Sequence, residues 1–298
     1  MLKLEGTILG DILVRRRERL AEAKARVPLR LLQESAKTRS DFRDFARAIA
    51  RGGGMFHVIA ELKRASPSHG VLSPDYRPRA IAKGYEAAEA AALSVLTEED
   101  HFLGSLHDLA EVRAAVRLPV LRKDFILEPY QVYESAAAGA DALLLIVAAL
   151  EEGELGQLLE LTHKIGMAAL VEIHDQAELD RAVKAGAKIV GVNNRDLRTL
   201  EVDVETSFRL RPSIPPGVAA VSESGIRTPQ DLKRLADAGY DAALIGERFM
   251  TAPDPGEALA ALLGAGREKS EVRSQNKEPP AGLRIRFAGI QGLSVIEF

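Results

Sequence analysis

Short apolar segments recur along most of this chain, and the stretches between them mix apolar and polar residues with the spacing of a helix. Eight such segments lie about 20 to 35 residues apart. They are Val58–Leu62, Leu93–Leu96, Pro119–Lys123, Ala142–Val147, Ala168–Glu172, Ile189–Asn193, Val218–Ser222 and Ala242–Ile245. Near-continuous apolar runs of this length are typical of strands that a parallel sheet buries on both faces. The alternation therefore predicts an α/β fold with eight parallel strands.

Several of these segments are preceded by the same joint, in which a glycine ends a helical stretch. It is seen at Gly139, Gly186 and Gly239, where a left-handed residue is expected. Repetition of one strand–helix unit is typical of a (β/α)8 TIM barrel. A doubly wound open sheet would alternate in the same way, but no G-x-G-x-x-G loop follows the first strand, which disfavours a dinucleotide-binding fold. We therefore predict a TIM barrel.

Three regions follow from this pattern. Residues 1–54 carry apolar positions spaced among many charged residues, which predicts an amphipathic helical extension packed on the barrel. Residues 55–265 would form the (β/α)8 barrel. Residues 266–298 begin as a polar, proline-containing linker and end in a short alternating segment of unknown role.

Composition excludes several classes of function. The hydrophobic content is 46% and the formal net charge is -3. The chain therefore lacks the excess of basic residues that is typical of proteins that bind nucleic acid or a membrane surface. The arginines at positions 15, 16, 17 and 19 are balanced by nearby Glu18 and Glu22, so we interpret them as a solvated helix face. The absence of cysteine rules out disulfides and thiolate sites. No apolar run is long enough to span a membrane and no signal peptide is evident, so we expect a cytoplasmic protein.

Polar and charged residues cluster where the predicted strands end. They are Glu61 and Lys63 after strand one, Lys123 after strand three, Glu172 and His174 after strand five, Asn193 and Arg195 after strand six, and Glu223 and Ser224 after strand seven. Reacting groups of barrel enzymes lie at this end of the strands. None of the 6 histidines is spaced as a metal-ligand pair with another histidine, so we expect no metal site and interpret His174 as a loop or capping residue.

The loops after strands seven and eight have the features of a phosphate site. Gly225 and Gly246 let the backbone approach a ligand, and Thr228 followed by Pro229 predicts the start of a helix. Backbone N–H groups and helix N-termini at these two loops commonly bind phosphate in TIM barrels.

Six segments in this order resemble the motifs of the indole-3-glycerol-phosphate synthase family. They are Glu61–Ser68, Ser94–Thr97, Pro119–Phe125, Val171–His174, Gly191–Leu197 and Val221–Ile226. The resemblance runs from about Leu31 to Leu263. It implies a TIM barrel with an N-terminal extension that closes an indole ring in tryptophan biosynthesis. The substrate would be the phosphorylated small molecule 1-(2-carboxyphenylamino)-1-deoxyribulose 5-phosphate, handled without cofactor or metal by a monomer or weak homo-oligomer.

The resemblance also assigns roles to individual residues. Catalytic roles fall on Lys63, Lys123, Glu172, Glu61 and Asn193; substrate contacts fall on Ser66, Phe102, Phe125, Leu144, Arg195, Glu223 and Ser224; the phosphate site falls on Gly225, Gly246 and the N–H of Glu247. Ring closure places negative charge on a carbonyl oxygen, which an ammonium group can stabilise and protonate. Lys123 is our candidate for that step, and Lys63 with Glu172 for the later dehydration, although the sequence alone does not decide which lysine serves which step.

Two segments depart from the family pattern. Ala88-Glu89 stands where relatives carry a glycine pair, and His101–Gly104 replaces a Phe-Phe-Gly-Gly stretch. A carboxylate at Glu247 would also lie next to a phosphate, so we expect its side chain to turn away.

Three other functions stay open at this point. A related phosphate-sugar isomerase barrel would share the two glycine loops but would not need both Lys63 and Lys123. A Schiff-base aldolase would use one lysine as a nucleophile. A phosphate-sensing barrel without catalysis would gain little from so many converging ionisable groups.

Overall fold

The computed structural model describes residues 6–51, 56–197 and 199–264. The predicted linker and terminal segment at 266–298 lie outside the described residues. Within the described part, no helix is long and apolar enough to cross a bilayer.

Eight parallel strands close into a barrel in which each strand pairs with its neighbours in sequence and the last pairs with the first. They are β1 His57–Leu62, β2 Ala92–Leu96, β3 Val120–Lys123, β4 Ala142–Ile146, β5 Ala168–Ile173, β6 Ile189–Asn193, β7 Ala219–Glu223 and β8 Ala242–Ile245. The predicted (β/α)8 fold is confirmed, and each of the eight apolar segments forms a strand. A two-residue antiparallel pair, Ala65–Ser66 with Gly70–Val71, follows β1.

Helices surround the barrel and extend its N-terminus. They are α1 Ile8–Arg26, α2 Leu29–Thr38, α3 Phe45–Ile49, α4 Pro78–Ala87, α5 Leu106–Ala115, α6 Pro129–Ala138, α7 Glu152–Ile165, α8 Gln176–Lys184, α9 Glu205–Leu210, α10 Pro229–Ala238 and α11 Glu247–Met250, followed by a helix over residues 255–264. Short 3-10 turns lie at Val147–Ala149 and Arg211–Ser213.

Four of the described helices end at a left-handed glycine, three of them at the predicted joints. Gly139 and Gly239 have φ of 97° and 93° and cap α6 and α10. Gly186 has φ of 87°. Gly166, which the sequence reasoning missed, does the same after α7 with φ of 104°. These residues let each helix return to the next strand without the steric cost that a side chain would bring.

The two departures from the family's glycine pattern coincide with unusual backbone. Glu89 and Leu103 have φ of 63° and 54°, in the left-handed region that favours glycine. Both lie beside β2, one before it and one in the loop after it. The chain therefore carries local strain on either side of this strand.

The N-terminal helices join the barrel at both of its ends. Phe45 and Ile49 of α3 are buried in the inner core at the N-terminal ends of the strands. Leu9 and Ile12 of α1 belong to the same core but lie near the opposite end, beside Phe125. The extension is thus packed against the barrel, and α1 covers part of the mouth where the strands end.

The interpretation of the α1 arginines as a solvated face is wrong for Arg16 and incomplete for Arg15 and Arg19, which pair with Glu18 and Glu22 but also with a distant loop. Arg16 is buried, and its Nη2 donates to Asp124 Oδ2 at 2.7 Å. Arg15 and Arg19 are half-buried and pair with Asp100 in the loop after β2, at 3.1 and 2.7 Å. Asp124 lies 108 residues from Arg16 and Asp100 lies 81 residues from Arg19, so the nearby glutamates could not indicate them.

Candidate active site

A cavity of about 410 Å³ opens at the C-terminal ends of the strands. It contains most of the residues that the sequence singled out: Glu61, Lys63, Phe102, Lys123, Phe125, Leu144, Glu172, Asn193, Arg195, Glu223, Ser224, Gly225, Gly246 and Glu247. Ser66 instead borders an adjoining cavity of about 80 Å³, which Lys63, Phe102 and Phe125 also line. The structure therefore brings polar and charged residues from the ends of strands one, three, five, six, seven and eight to one cavity.

Lys63 and Glu61 form one ion pair at the mouth. Side chains two residues apart on a strand point to the same face, and Lys63 Nζ lies 2.7 Å from Glu61 Oε1. Gly246 at the end of β8 leaves room for this carboxylate, since a Cβ there would lie 2.2 Å from Glu61 Oε1. The glycine is therefore required by Glu61, whatever its relation to a ligand.

Lys123 lies between two buried carboxylates. Its Nζ is 3.0 Å from Glu172 Oε2 and 3.6 Å from Glu223 Oε2. The amide of Asn193 donates to Glu172 Oε1 at 3.0 Å, and Ser224 Oγ donates to Asn193 Oδ1 at 2.8 Å. These contacts hold the side chain of Glu172, from β5, against that of Lys123, from β3.

The electrostatic environment separates the roles of these groups. Burial alone would lower the pKa of Lys123, but Glu172, Glu223 and Glu61 together raise it above its ordinary value. Burial opposes ionisation of Glu172, yet Lys123, His174 and Asn193 hold its pKa below the ordinary value. Burial, together with the charges of Glu172 and Glu61, raises the pKa of Glu223 to about 8 despite Lys123. The environment thus favours a charged ammonium at Lys123, an ionised carboxylate at Glu172 and a protonated Glu223.

The predicted aromatic pocket forms where α1 meets the barrel. The rings of Phe102 and Phe125 lie 6.4 Å apart between centroids, at an angle of 39°. Leu9 and Ile12 of α1 border the small cavity beside them, and buried Leu144 lines the main cavity. Both α1 residues escaped the sequence reasoning, because an amphipathic period predicts a buried face but not what that face covers.

The loop that carries Phe102 is organised by a buried acid that the sequence reasoning also missed. Glu98 accepts hydrogen bonds from the backbone N–H groups of Asp100, His101 and Phe102, at 3.1, 2.8 and 3.0 Å. Three backbone donors satisfy a carboxylate that is only 1% exposed. Glu98 therefore fixes the position of Phe102 although it contacts no predicted catalytic group.

The loop after β7 has the backbone that a tight anion site would use. Ser224 and Gly225 are both left-handed, with φ of 68° and 79°. Thr228 caps α10 by accepting from Asp231 N at 3.1 Å, and Pro229 is the first helical residue. The predicted cap is confirmed.

The Glu247 side chain, which we expect to turn away from a phosphate, extends toward the loop after β6. Its Oε2 accepts a hydrogen bond from Arg195 Nη2 at 3.1 Å and lies 3.5 Å from His69 Nδ1. Arg195 is one of the residues that the sequence places in contact with substrate. In this structure the Glu247 carboxylate neutralises that cation, which the spacing of residues in sequence could not indicate.

His174 lies closer to the site than a capping residue would need to. Its Nε2 is 3.4 Å from Glu172 Oε1, and its Nδ1 is 2.9 Å from Glu178 Oε2. Burial opposes protonation, but Glu172 and Glu178 together raise the pKa of His174 to about 10. Within the described residues, no group of three or more histidine and acidic side chains has the arrangement of a metal site.

The sequence matches a known protein family and individual members of it. The chain matches the family described as indole-3-glycerol phosphate synthase over residues 9–262. It is 48% identical over 258 residues to the indole-3-glycerol phosphate synthase of Laribacter hongkongensis, covering 86% of this chain and 98% of that one. It is also 48% identical over 265 residues to the enzyme of the same description from a Mycobacterium species, covering 89% and 97%.

Solved structures at low identity share the fold alone. KGPDC from Streptococcus mutans is 11% identical, with a TM-score of 0.55 over 72% of this chain and 98% of that one. At this identity the likeness extends to the barrel and not to the side chains in its mouth.

Proposed function

The chain belongs to the indole-3-glycerol phosphate synthase family, and we propose that it performs this reaction with Lys123 and Lys63 as successive proton donors and Glu172 as the base. The enzyme is a carboxy-lyase of tryptophan biosynthesis that acts on a phosphorylated small molecule. It converts 1-(2-carboxyphenylamino)-1-deoxyribulose 5-phosphate to indole-3-glycerol phosphate with loss of carbon dioxide and water. One observation carries the proposed roles: Lys63 and Lys123 face the same cavity, each paired with a glutamate.

In the first step, the ring carbon that bears the carboxylate attacks the ketose carbonyl carbon. Lys123 gives a proton to the carbonyl oxygen as its negative charge develops. A buried ammonium is suited to this role, because it stabilises the charge before the proton moves. Loss of carbon dioxide then restores the aromatic ring, so this step needs no separate base. The apolar side chains of Phe125 and Leu144 favour it by desolvating the carboxylate.

In the second step, the new hydroxyl leaves as water with a proton from Lys63, and Glu172 takes the proton from the adjacent ring carbon. Glu61 orients Lys63 through the 2.7 Å contact, and Asn193 orients Glu172 through the 3.0 Å hydrogen bond. Glu223 and Ser224 border the same cavity and would contact the substrate. Lys123, His174 and Asn193 favour the ionised form of Glu172. This supports its role as the base, since a base must be unprotonated when the substrate arrives.

The phosphate would lie against Gly225 and Gly246, where two helices begin just after the loops. The left-handed Ser224–Gly225 turn and the N-terminus of α10 support this position. Arg227 and Arg248 line the same side of the cavity and add positive charge. A substrate phosphate there would compete with the Glu247 carboxylate for nearby cations such as Arg195.

The experiment is direct, because the chain contains no tryptophan. Purified protein given the anilino-deoxyribulose phosphate should develop indole fluorescence without added metal and in the presence of a chelator. Absence of product under these conditions would reject the proposed activity.

The Schiff-base aldolase alternative finds less support. Schiff-base formation needs a neutral amine, whereas three carboxylates raise the pKa of Lys123. Treatment with borohydride and a keto substrate should therefore leave the enzyme active and unlabelled.

We also propose that the protein acts in the cytoplasm as a monomer or weak homo-oligomer, without a nucleic-acid or membrane partner. The nearly balanced charge supports this. Light scattering at two protein concentrations would test the oligomeric part.

A further inference from the structure

His174 is an ionisable group near the site that the proposed mechanism does not use. It follows β5 directly, and its ring lies between Glu178 on one side and Glu172 on the other, at 2.9 and 3.4 Å. The His174 side chain is 14% exposed. The residue does not line the main cavity, so it reaches the reaction only through Glu172.

Glu178 fixes the ring in one orientation. The same carboxylate oxygen, Oε2, accepts from the backbone N of His174 at 2.8 Å and contacts its Nδ1 at 2.9 Å. Glu178 is itself held in the first turn of α8, where its backbone N donates to Asp175 Oδ1 at 2.9 Å. A nitrogen this close to a carboxylate carries the proton, so Nδ1 is a donor.

The other ring nitrogen then has an unusual environment. Nε2 is buried without a hydrogen-bond partner in the described part of the chain, and it faces Glu172 Oε1. If the ring were neutral, the Nε2 lone pair would face a carboxylate oxygen inside the protein, which is unfavourable for both groups. Protonation of Nε2 converts this contact into an ion pair. The geometry alone therefore favours an imidazolium.

Glu172 and Glu223 compete for one cation. Both carboxylates lie within 4 Å of Lys123 Nζ, at 3.0 and 3.6 Å. Two carboxylates that share a buried site do not both ionise readily, so one of them keeps a proton. For Glu172 to act as the base, this proton must be on Glu223. A second positive charge beside Glu172 would favour that distribution, because it stabilises the ionised form of Glu172.

We propose that His174, held by Glu178, is a positioning residue that keeps Glu172 ionised and leaves the shared proton on Glu223. This inference rests on the proposed role of Glu172 as the base. Among the described residues, Lys123 from β3, Glu223 from β7 and His174 itself act on Glu172. Glu61 from β1 acts on Lys123 and Glu223, and Glu178 acts through His174. Lys123 contacts both carboxylates, although it is closer to Glu172, and Asn193 donates to Glu172 as well. Among the described residues, His174 adds a positive charge within 4 Å of Glu172 that makes no such contact with Glu223.

The first test replaces the imidazolium with a neutral amide of similar size, His174→Asn. Loss of a positive charge at this distance raises the pKa of a carboxylate by about 1 to 3 units. The acid limb of the kcat–pH profile should therefore move to higher pH by at least about one unit, with kcat at the original limb lowered at least about tenfold. KM should stay within about twofold, because His174 does not line the substrate cavity.

A second variant keeps the histidine and removes its anchor. In Glu178→Gln the ring loses one of its two carboxylates, so the acid limb should move in the same direction by a smaller amount. This variant also serves if His174→Asn does not fold. His107→Asn, the same change at an exposed histidine of α5, is the matched control and should leave the profile unchanged.

A readout that needs no activity separates this inference from the proposed function. The ring C2–H signal of His174, assigned by its loss in His174→Asn, should report an imidazolium at pH 8 in the wild-type protein and titrate at lower pH in Glu178→Gln. A neutral ring at pH 7, or a wild-type pH profile in both variants, would overturn the proposal. If the wild-type protein forms no indole product while the ring is still charged, the proposed function fails and the electrostatic role stands.

Discussion

Removal of the Lys123 ammonium tests the assignment on which the mechanism depends. In Lys123→Ala the site loses a cation that lies 3.0 Å from Glu172 and 3.6 Å from Glu223. Because those carboxylates raise the pKa of Lys123, the group is fully protonated across the working range of pH and is always available as an acid. A positioned acid contributes about 10²- to 10⁴-fold, and the stabilisation of a developing oxyanion about 10²- to 10³-fold. The two effects come from one group and do not multiply, so turnover should fall by at least about 100-fold.

Two signals measured together show which step is lost. Release of carbon dioxide reports ring closure, and indole fluorescence reports the completed reaction. If Lys123 serves ring closure, both signals should fall equally in Lys123→Ala. Lys37→Ala, an exposed residue of α2, is the matched control and should behave as wild type.

A charge-conserving variant separates the proton from the charge. Lys123→Arg keeps a cation, but a guanidinium releases its proton far less readily than an ammonium does. We therefore expect little recovery of turnover. Turnover of Lys123→Ala within tenfold of wild type, or release of carbon dioxide at the wild-type rate without indole, would refute the assignment of Lys123 to ring closure.

Three further outcomes are expected. Lys63→Ala should lower indole fluorescence more than release of carbon dioxide, because Lys63 acts in dehydration; equal loss of both signals would place it earlier. Leu103→Gly should raise the free energy of unfolding by about 1 kcal/mol, since a left-handed non-glycine residue costs about 1–3 kcal/mol and Leu103 is 40% exposed; an unchanged denaturant midpoint would contradict this. Arg16→Met should lower the free energy of unfolding by about 1–3 kcal/mol, the typical value of a hydrogen bond to a charged group, because buried Asp124 loses one of its two arginine partners. The variant should also raise KM, because α1 borders the aromatic pocket; an unchanged KM would separate α1 from substrate binding.

The sequence predicted those parts of the molecule that depend on local periodicity. Apolar runs located the eight strands because a parallel sheet buried on both faces allows few polar residues. The Glu61–Lys63 pair was predictable because side chains two apart on a strand share a face. The charged strand ends were predictable as a group, since all parallel strands of a barrel end at the same rim.

The contacts missed from sequence divide into two kinds. The partner of His174 was within reach, because Glu178 lies four residues further on, in the first turn of a helix capped by Asp175. The partner of Arg16 was not, because Asp124 lies 108 residues away and a periodic pattern contains no information about which distant element will pack against it. The same holds for Glu247 and Arg195, whose pairing depends on how two loops meet across the mouth.

The alternation along β3 explains why Lys123 faces the cavity while its neighbours Arg122 and Asp124 pair with each other. Arg122 is fully buried and pairs with Asp124 Oδ2 at 2.8 Å, on the side of the strand opposite to the Lys123 ammonium. Both oxygens of Asp124 are engaged, Oδ2 by Arg16 and Arg122 and Oδ1 by the backbone N of Phe125. Asp124 is therefore bound too firmly to exchange protons with a substrate. It instead ties α1 to the strand that carries Lys123, so a change in the N-terminal extension would disturb the acid and the aromatic pocket together.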